Sequence, residues 1–389
     1  MKIRPTVAVC ALTALPLGAL LGACSLTESN KSDPKGDGPV TVTSSNDACT
    51  LSATKAGSGT LRFKVKNTGS KVTEFYLYAA DGKRIVGEVE NIGPGLTREL
   101  VTTAAPGTYV TACKPGMEGD GIRAKFTVTD SGKASSASEA EQTNLGRATA
   151  AYADYVKQEA GELLEETTKF VDAFKAGKDD EARALYPTAR VHWERIEPVA
   201  ESFGDLDPKM DLREADLEPG QQWTGWHRLE KDLWPPKAYT PLTTNQRTQL
   251  ADQLITDTKD LHERVQTATY DVTQLGNGAK ELLDEVATGK VTGEEETWSH
   301  TDLYDFQANV DGAKEAFELL EPILESKDED LEKQIDERFD ALQTVLDKYR
   351  SGDGFVSYDT VTEPQRKELS DAVNALSEPL SKMTGVITQ

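Results

Sequence analysis

His227 and Glu230 stand three residues apart in Gly225-Trp226-His227-Arg228-Leu229-Glu230. Glu194 and Glu197 have the same spacing in His192-Trp193-Glu194-Arg195-Ile196-Glu197. On a helix, positions three apart share a face, so each pair can point one way. An imidazole among carboxylates is a donor set for iron, manganese or zinc. Asp211 lies between the two runs and completes a candidate set of Glu194, Glu197, Asp211, His227 and Glu230. No cysteine follows Cys113, so a thiophilic metal fits this part of the chain poorly. The spacing alone is weakly specific, because His-x-x-Glu is common as a solvated pair on charged helices. His192 reads as a packed or hydrogen-bonding residue, His262 as a helix-surface residue and His300 as a helix-start residue. Glu294-Glu295-Glu296 reads as a solvated charge run. Trp193, Trp223, Trp226 and Trp234 crowd the same region and read as aromatic core.

The elements that must position these residues follow from pattern. Lys2 and Arg4 precede an apolar run from Thr6 to Leu21, and Leu21-Gly22-Ala23-Cys24 follows as a lipoprotein cleavage box. Residues 1–23 are expected to be a lipoprotein signal peptide, Cys24 the lipidated residue, and 24–38 a flexible polar tether. This places the protein outside the cytoplasm, anchored to the cell membrane in the periplasm or cell-wall space. Residues 1–23 hold two basic residues and no acidic one, so removing them moves the net charge from −23 to about −25. Such an acidic chain repels nucleic acid and anionic lipid. Once Cys10 leaves with the leader and Cys24 carries lipid, Cys49 and Cys113 remain. In an oxidising compartment they most simply form one disulfide.

Residues 39–130 read as short strands: Val40–Thr43, Leu61–Val65, Glu74–Tyr78, Thr108–Ala112 and Ala124–Val128, separated by Gly, Pro and Asn turns. The spacing predicts a β-sandwich. Residues 131–143 read as a linker. From 144 to 389 helix formers dominate, and helices are expected over Asp179–Phe203, Thr224–Leu233, Thr244–Leu275, Ala279–Thr288, Thr301–Leu324, Asp328–Tyr349 and Glu363–Ile387. Long helices with short connections predict a helical bundle.

The segments Arg190–Pro198, Asp207-Pro208 with Asp211–Glu214, Trp223–Glu230, Ser299–Leu303 and Phe306–Ala313 together resemble the imelysin family. The resemblance to its EfeO subgroup of extracytoplasmic iron-uptake components is close. Gly-x-His-x-x-Glu, the hallmark of the family, is present as Gly225 to Glu230. The resemblance implies a cupredoxin-like β-sandwich followed by an imelysin-type helical domain. It implies iron, ferric or ferrous, as the bound species, with copper or zinc as further candidates, and His227, Glu230, Glu194, Asp211 and Glu197 as ligands. It implies two partners, an Efe-type iron permease and a haem-dependent (DyP-type) peroxidase of the same system. It implies transfer of metal rather than turnover, and no catalytic residue is assigned. The alternative is a metal-dependent enzyme, a ferroxidase or an M75-type peptidase, using the same site. The sequence lacks His-Glu-x-x-His, which a zinc peptidase of that kind needs.

Ala112-Cys113-Lys114-Pro115-Gly116-Met117 resembles the ligand loop of cupredoxins. A blue-copper centre also needs two histidines, and residues 39–130 contain none. Two readings stay open: a Cys49–Cys113 disulfide with Met117 packed in the sandwich, or a second metal site of Cys113 and Met117 with Glu74, Glu88 and Glu90.

Overall fold

The structure is a computed structural model that describes residues 38–82, 85–117, 119–132, 139–217 and 220–389. The expected signal peptide, Cys24 and nearly all of the tether lie outside the described residues, as does the middle of the expected linker. No helix among the described residues is long and apolar enough to cross a membrane.

Residues 40–129 form two facing sheets. The strands are β1 (Val40–Ser44), β2 (Cys49–Leu51), β3 (Lys55–Gly57), β4 (Gly59–Asn67), β5 (Thr73–Tyr78), β6 (Ile85–Ile92), β7 (Thr97–Ala104), β8 (Gly107–Cys113) and β9 (Ile122–Thr129). One sheet runs β2-β1-β4-β7 and the other β3-β9-β8-β5-β6. The β1–β4 and β3–β9 pairs are parallel and the remaining pairs antiparallel. Alternation dictates the inner face. Leu61, Phe63 and Val65 of β4 are buried while Lys64 and Lys66 point to solvent, as the two-residue period of a strand requires. Phe63, Phe75 and Phe126 meet at the centre. The five expected strands are present. The sequence pattern passed over the three-residue strands β2 and β3 and also β6 and β7, and β6 carries carboxylates, at Glu88 and Glu90, that break its apolar alternation.

Cys49 and Cys113 are bonded, tying β2 of one sheet to β8 of the other across a Cα–Cα distance of 5.6 Å. The bond closes a loop with a sequence separation of 64. By the chain-entropy argument a loop of that size stabilises by about 4 kcal/mol. The Cys49→Ser/Cys113→Ser variant is therefore expected to lower the denaturant midpoint of the sandwich strongly, read by near-ultraviolet circular dichroism. An unchanged midpoint would show that the bond adds nothing.

The helices are α1 (Glu139–Lys175), α2 (Asp179–Ile196), α3 (Asp207–Met210), α4 (Trp226–Leu233), α5 (Thr244–Val265), α6 (Val272–Thr288), α7 (Asp302–Lys327), α8 (Glu329–Leu346) and α9 (Glu363–Ile387). A 3-10 segment, Glu197–Phe203, continues α2. α1 packs on α2 and α5, α7 on α2 and α6, and α9 on α6 and α8. Two expected boundaries are corrected: α1 already begins at Glu139, inside the expected linker 131–143. Thr244–Leu275 is two helices, because Asp271 caps a new one: its carboxylate accepts from the Thr273 and Gln274 N–H groups, and Gln274 returns the bond to the Asp271 N–H. Such a box defines a helix start.

α6 also joins the two halves. The Thr103 N–H of β7 donates to Thr273 Oγ1 at 3.2 Å, and Asn277 Nδ2 donates to the Val101 carbonyl at 2.7 Å. Arg62 of β4 donates to the Gly385 carbonyl of α9 at 3.0 Å.

Candidate metal centre

α4 starts at Gly225, which has φ +86°. A Cβ there would lie 2.1 Å from the Met210 carbonyl oxygen and 2.7 Å from that of Lys209. Both the left-handed backbone and the close approach to α3 demand glycine. This contact seats His227, two residues later, against Asp211 at the end of α3. Gly225→Ala combines backbone strain with overlap, and is expected to destabilise the domain by about 3 kcal/mol. Thermal melting should show this, and metal affinity should fall although no ligand has changed.

His227 is 1% exposed. Its Nε2 lies 3.3 Å from Asp211 Oδ1 and 3.3 Å from Glu295 Oε1, and has no hydrogen-bond partner. Its Nδ1 faces Glu230 Oε2 at 3.3 Å. The other oxygen of Glu230 accepts the backbone N–H groups of Trp298 and Ser299 at 2.9 and 2.7 Å. Glu230 thus orients the ring and presents Nε2 to Asp211 and Glu295, as carboxylates behind metal-binding imidazoles do. Trp193 Nε1 donates to Asp211 Oδ2 at 2.8 Å and fixes that side chain too. Neighbouring ligands about 2.1 Å from a small cation lie about 3 Å apart. The two 3.3 Å spacings, with all three donor atoms within 4.8 Å of one another, fit one ion, and two oxygens with one nitrogen suit a hard or borderline metal. A second convergence, of His227, Glu230 and Glu296, adjoins the first.

Cations built into the protein hold the surrounding acids. Arg190 is fully buried and pairs with Glu194 and Asp211, with Glu296 at 2.7 Å. Lys290 Nζ lies 2.8 Å from Glu194 and 2.8 Å from Glu197, and Asn309 Nδ2 donates to both carboxylates. The structure places the residues expected from sequence in two groups. Asp211, His227 and Glu230 come together, whereas Glu194 and Glu197 face Lys290 and Asn309 instead. Glu294-Glu295-Glu296 is not a solvated run: Glu295 is 5% exposed and Glu296 fully buried.

Charge states follow from these contacts. Burial and Arg190 both push the His227 pKa down. The carboxylates of Asp211, Glu230 and Glu295 that face the ring outweigh them and raise it well above the usual histidine range. Burial alone would raise Asp211, but Arg190 and His227 hold it well below the usual carboxylate range. Against the same effect of burial, Lys290 and His227 bring Glu295 down to about 2. Glu296 is raised by burial and by Glu230, and Asp305 by burial and by Glu194.

The other histidines stand elsewhere. His192 Nδ1 is 2.7 Å from Glu159, His262 sits beside Gln266 on α5, and the His300 carbonyl accepts from the Tyr358 N–H ahead of α7.

On the sandwich, the second candidate site comes apart. Cys113 is in the disulfide and has no thiolate to offer, and Met117 is 46% exposed. Glu74 and Glu90 each lie 2.9 Å from the Tyr76 hydroxyl. Burial and then Glu90 raise the Glu74 pKa to about 7. Glu88 and Glu90 line a cavity of about 320 Å³ that Asp211 and Glu295 also line.

The imelysin family profile matches residues 148–383. The chain belongs to the imelysin family. The imelysin region runs from α1 into α9 and so includes every residue of the His227 site; the family also bears the name peptidase M75. A cupredoxin-like domain profile matches residues 15–128. An iron uptake system component EfeO from Escherichia coli O157:H7 is 38% identical over 351 residues, covering 90% of this chain and 91% of that protein. An Efem/EfeO family lipoprotein from Staphylococcus haemolyticus is 46% identical over 261 residues, covering 66% of this chain and 89% of that protein. The crystal structure of an imelysin-like protein from Psychrobacter arcticum aligns at 14% identity with a TM-score of 0.47, over 64% of this chain and 95% of that one.

Proposed function

We propose that this chain is the iron-binding component of an extracytoplasmic uptake system, anchored through a lipid on Cys24. It takes iron as cargo at His227 Nε2, Asp211 and Glu295 and delivers it to a membrane permease, alongside a haem peroxidase of the same system. The observation that carries this reading is the buried His227 Nε2, without a hydrogen-bond partner and 3.3 Å from two carboxylate oxygens. The relatives named as iron uptake components support it. A carrier fits better than a peptidase, because His227 is the one histidine of the chain's four at this site. A zinc peptidase of the His-Glu-x-x-His type needs two.

Calorimetric titration with anaerobic Fe²⁺, ferric citrate, Mn²⁺ and Zn²⁺ tests the reading, with His227→Ala beside the wild type. Tight iron binding by the wild type and its loss in the variant are expected. Equal binding by both proteins would remove the site. The pH dependence adds a sign. Asp211 and Glu295 are already ionised at neutral pH, while His227 is held protonated. Binding through Nε2 must expel that proton. Affinity is therefore expected to rise by up to about tenfold per pH unit, continuing above the usual histidine range near 6.5. A flat profile between about pH 6 and 8 would argue against His227 as the ligand.

A further inference from the structure

Glu88 and Glu90 belong to β6 of the sandwich, yet the cavity they line has Asp211 and Glu295 of the helical domain on its wall. Nine carboxylate-bearing residues line this space against one basic residue, Arg213. An acidic lining alone is no site. What points to a ligand stands behind it: His227 Nε2 is buried, has no hydrogen-bond partner and lies 3.3 Å from each of those two wall carboxylates.

We propose that this cavity, at the junction of the two domains, is the access route by which a hydrated di- or trivalent cation reaches the imidazole–carboxylate site. Glu88 and Glu90 of the sandwich and Glu285 of α6 are its outer carboxylates. The proposal rests on the reading of His227, Asp211 and Glu295 as the binding site.

Size and field both fit. Six waters occupy about 180 Å³ at about 30 Å³ each, so about 320 Å³ has room for an aqua ion with its hydration shell intact. A cleft lined by charges of one sign, with low-dielectric walls, concentrates counter-ions and speeds their capture. An anionic chelate meets the same field as repulsion. The arrangement is also held in place. The bonds from Thr103 to Thr273 and from Asn277 to Val101 fix α6, and with it Glu285, against the sandwich. The acidic strand β6 thereby acquires a role without a metal centre inside the sandwich: it completes the wall of a space whose opposite side holds the ligands.

Stopped-flow mixing of the intact two-domain protein with Mn²⁺ tests this. The signal is tryptophan fluorescence, because the Trp193 indole is bonded to Asp211. In Glu88→Gln/Glu90→Gln/Glu285→Gln the association rate at low ionic strength is expected to fall about tenfold. Its salt dependence should flatten, while dissociation changes less than about threefold, since charges at the rim act on association. Thermal melting checks that the variant is folded. If it is not, Glu285→Lys alone, at an exposed position, is expected to slow association severalfold, less than the triple variant, because it changes the wall by two charges rather than three. Wild-type association and salt dependence in these variants, with binding still abolished in His227→Ala, would overturn the route and leave the site standing. Retained binding in His227→Ala would remove the site itself, and the route with it.

Discussion

Glu295→Gln is expected to weaken Mn²⁺ or Fe²⁺ binding by more than about 100-fold, and Asp211→Asn by a similar factor. Each variant removes one of two ionised oxygens that face His227 Nε2 at 3.3 Å, and an amide oxygen replaces charge with a dipole. Glu230→Gln should fall between about 10- and 100-fold, the range for a group that orients a ligand without touching the metal. Its amide would point an N–H at the His227 Nδ1–H and disturb the ring while leaving Nε2 in place. Glu194→Gln and Glu197→Gln should change affinity by less than about tenfold, because these carboxylates are held by Lys290 and Asn309 and act on the ion only through space. Calorimetry on the five variants gives the order. Were Glu194→Gln as damaging as Glu295→Gln, the assignment of ligands made from the geometry would be wrong.

Arg190→Met is expected to destabilise the helical domain by about 3–5 kcal/mol, the loss seen when one partner of a buried ionic network is removed. The guanidinium is fully buried and touches Glu194, Asp211 and Glu296, with Glu295 at 3.5 Å and Asp305 at 3.7 Å. Without it these carboxylates have Lys290, His227 and neighbouring hydrogen-bond donors to balance them. For a domain of this length the melting temperature should drop by roughly 10 °C. Added Mn²⁺ should then stabilise the variant more than it stabilises the wild type, since the ion supplies charge that Arg190 otherwise provides. A melting temperature equal to that of the wild type would show that the network relaxes by protonation alone.

Both outcomes turn on residues that differ in how far the sequence reveals them. The fold classes were legible because their signals are local. Alternating apolar residues in β4, and a Thr362–Gln365 capping box ahead of α9, depend on neighbours within a few positions. The elements missed or merged lacked such a signal. β6 interrupts its apolar pattern with Glu88 and Glu90, and the break before α6 depends on one capping aspartate that is equally at home on a helix surface.

The Gly225–Glu230 motif was legible for the same reason. Three-residue spacing on a helix sets His227 and Glu230 on one face, and the left-handed start at Gly225 is a property of one residue. Arg190 and Glu194 stand four apart on α2, a spacing that favours an ion pair, and that signal could have separated Glu194 from the ligand set. Nothing local distinguishes Glu295. It lies 68 residues beyond His227 in an acidic triplet whose composition resembles any solvated turn.

The sequence by itself therefore determined the two fold classes and set His227 and Glu230 on one helix face. Only the tertiary structure decided which acids face the imidazole, Asp211 and Glu295, and which face Lys290, Glu194 and Glu197. It also decided that a strand of the sandwich lines the space leading to them. The physical reason is that a carboxylate has the same chemistry wherever it stands in the chain, and its role depends on which charges folding brings within a few ångströms of it.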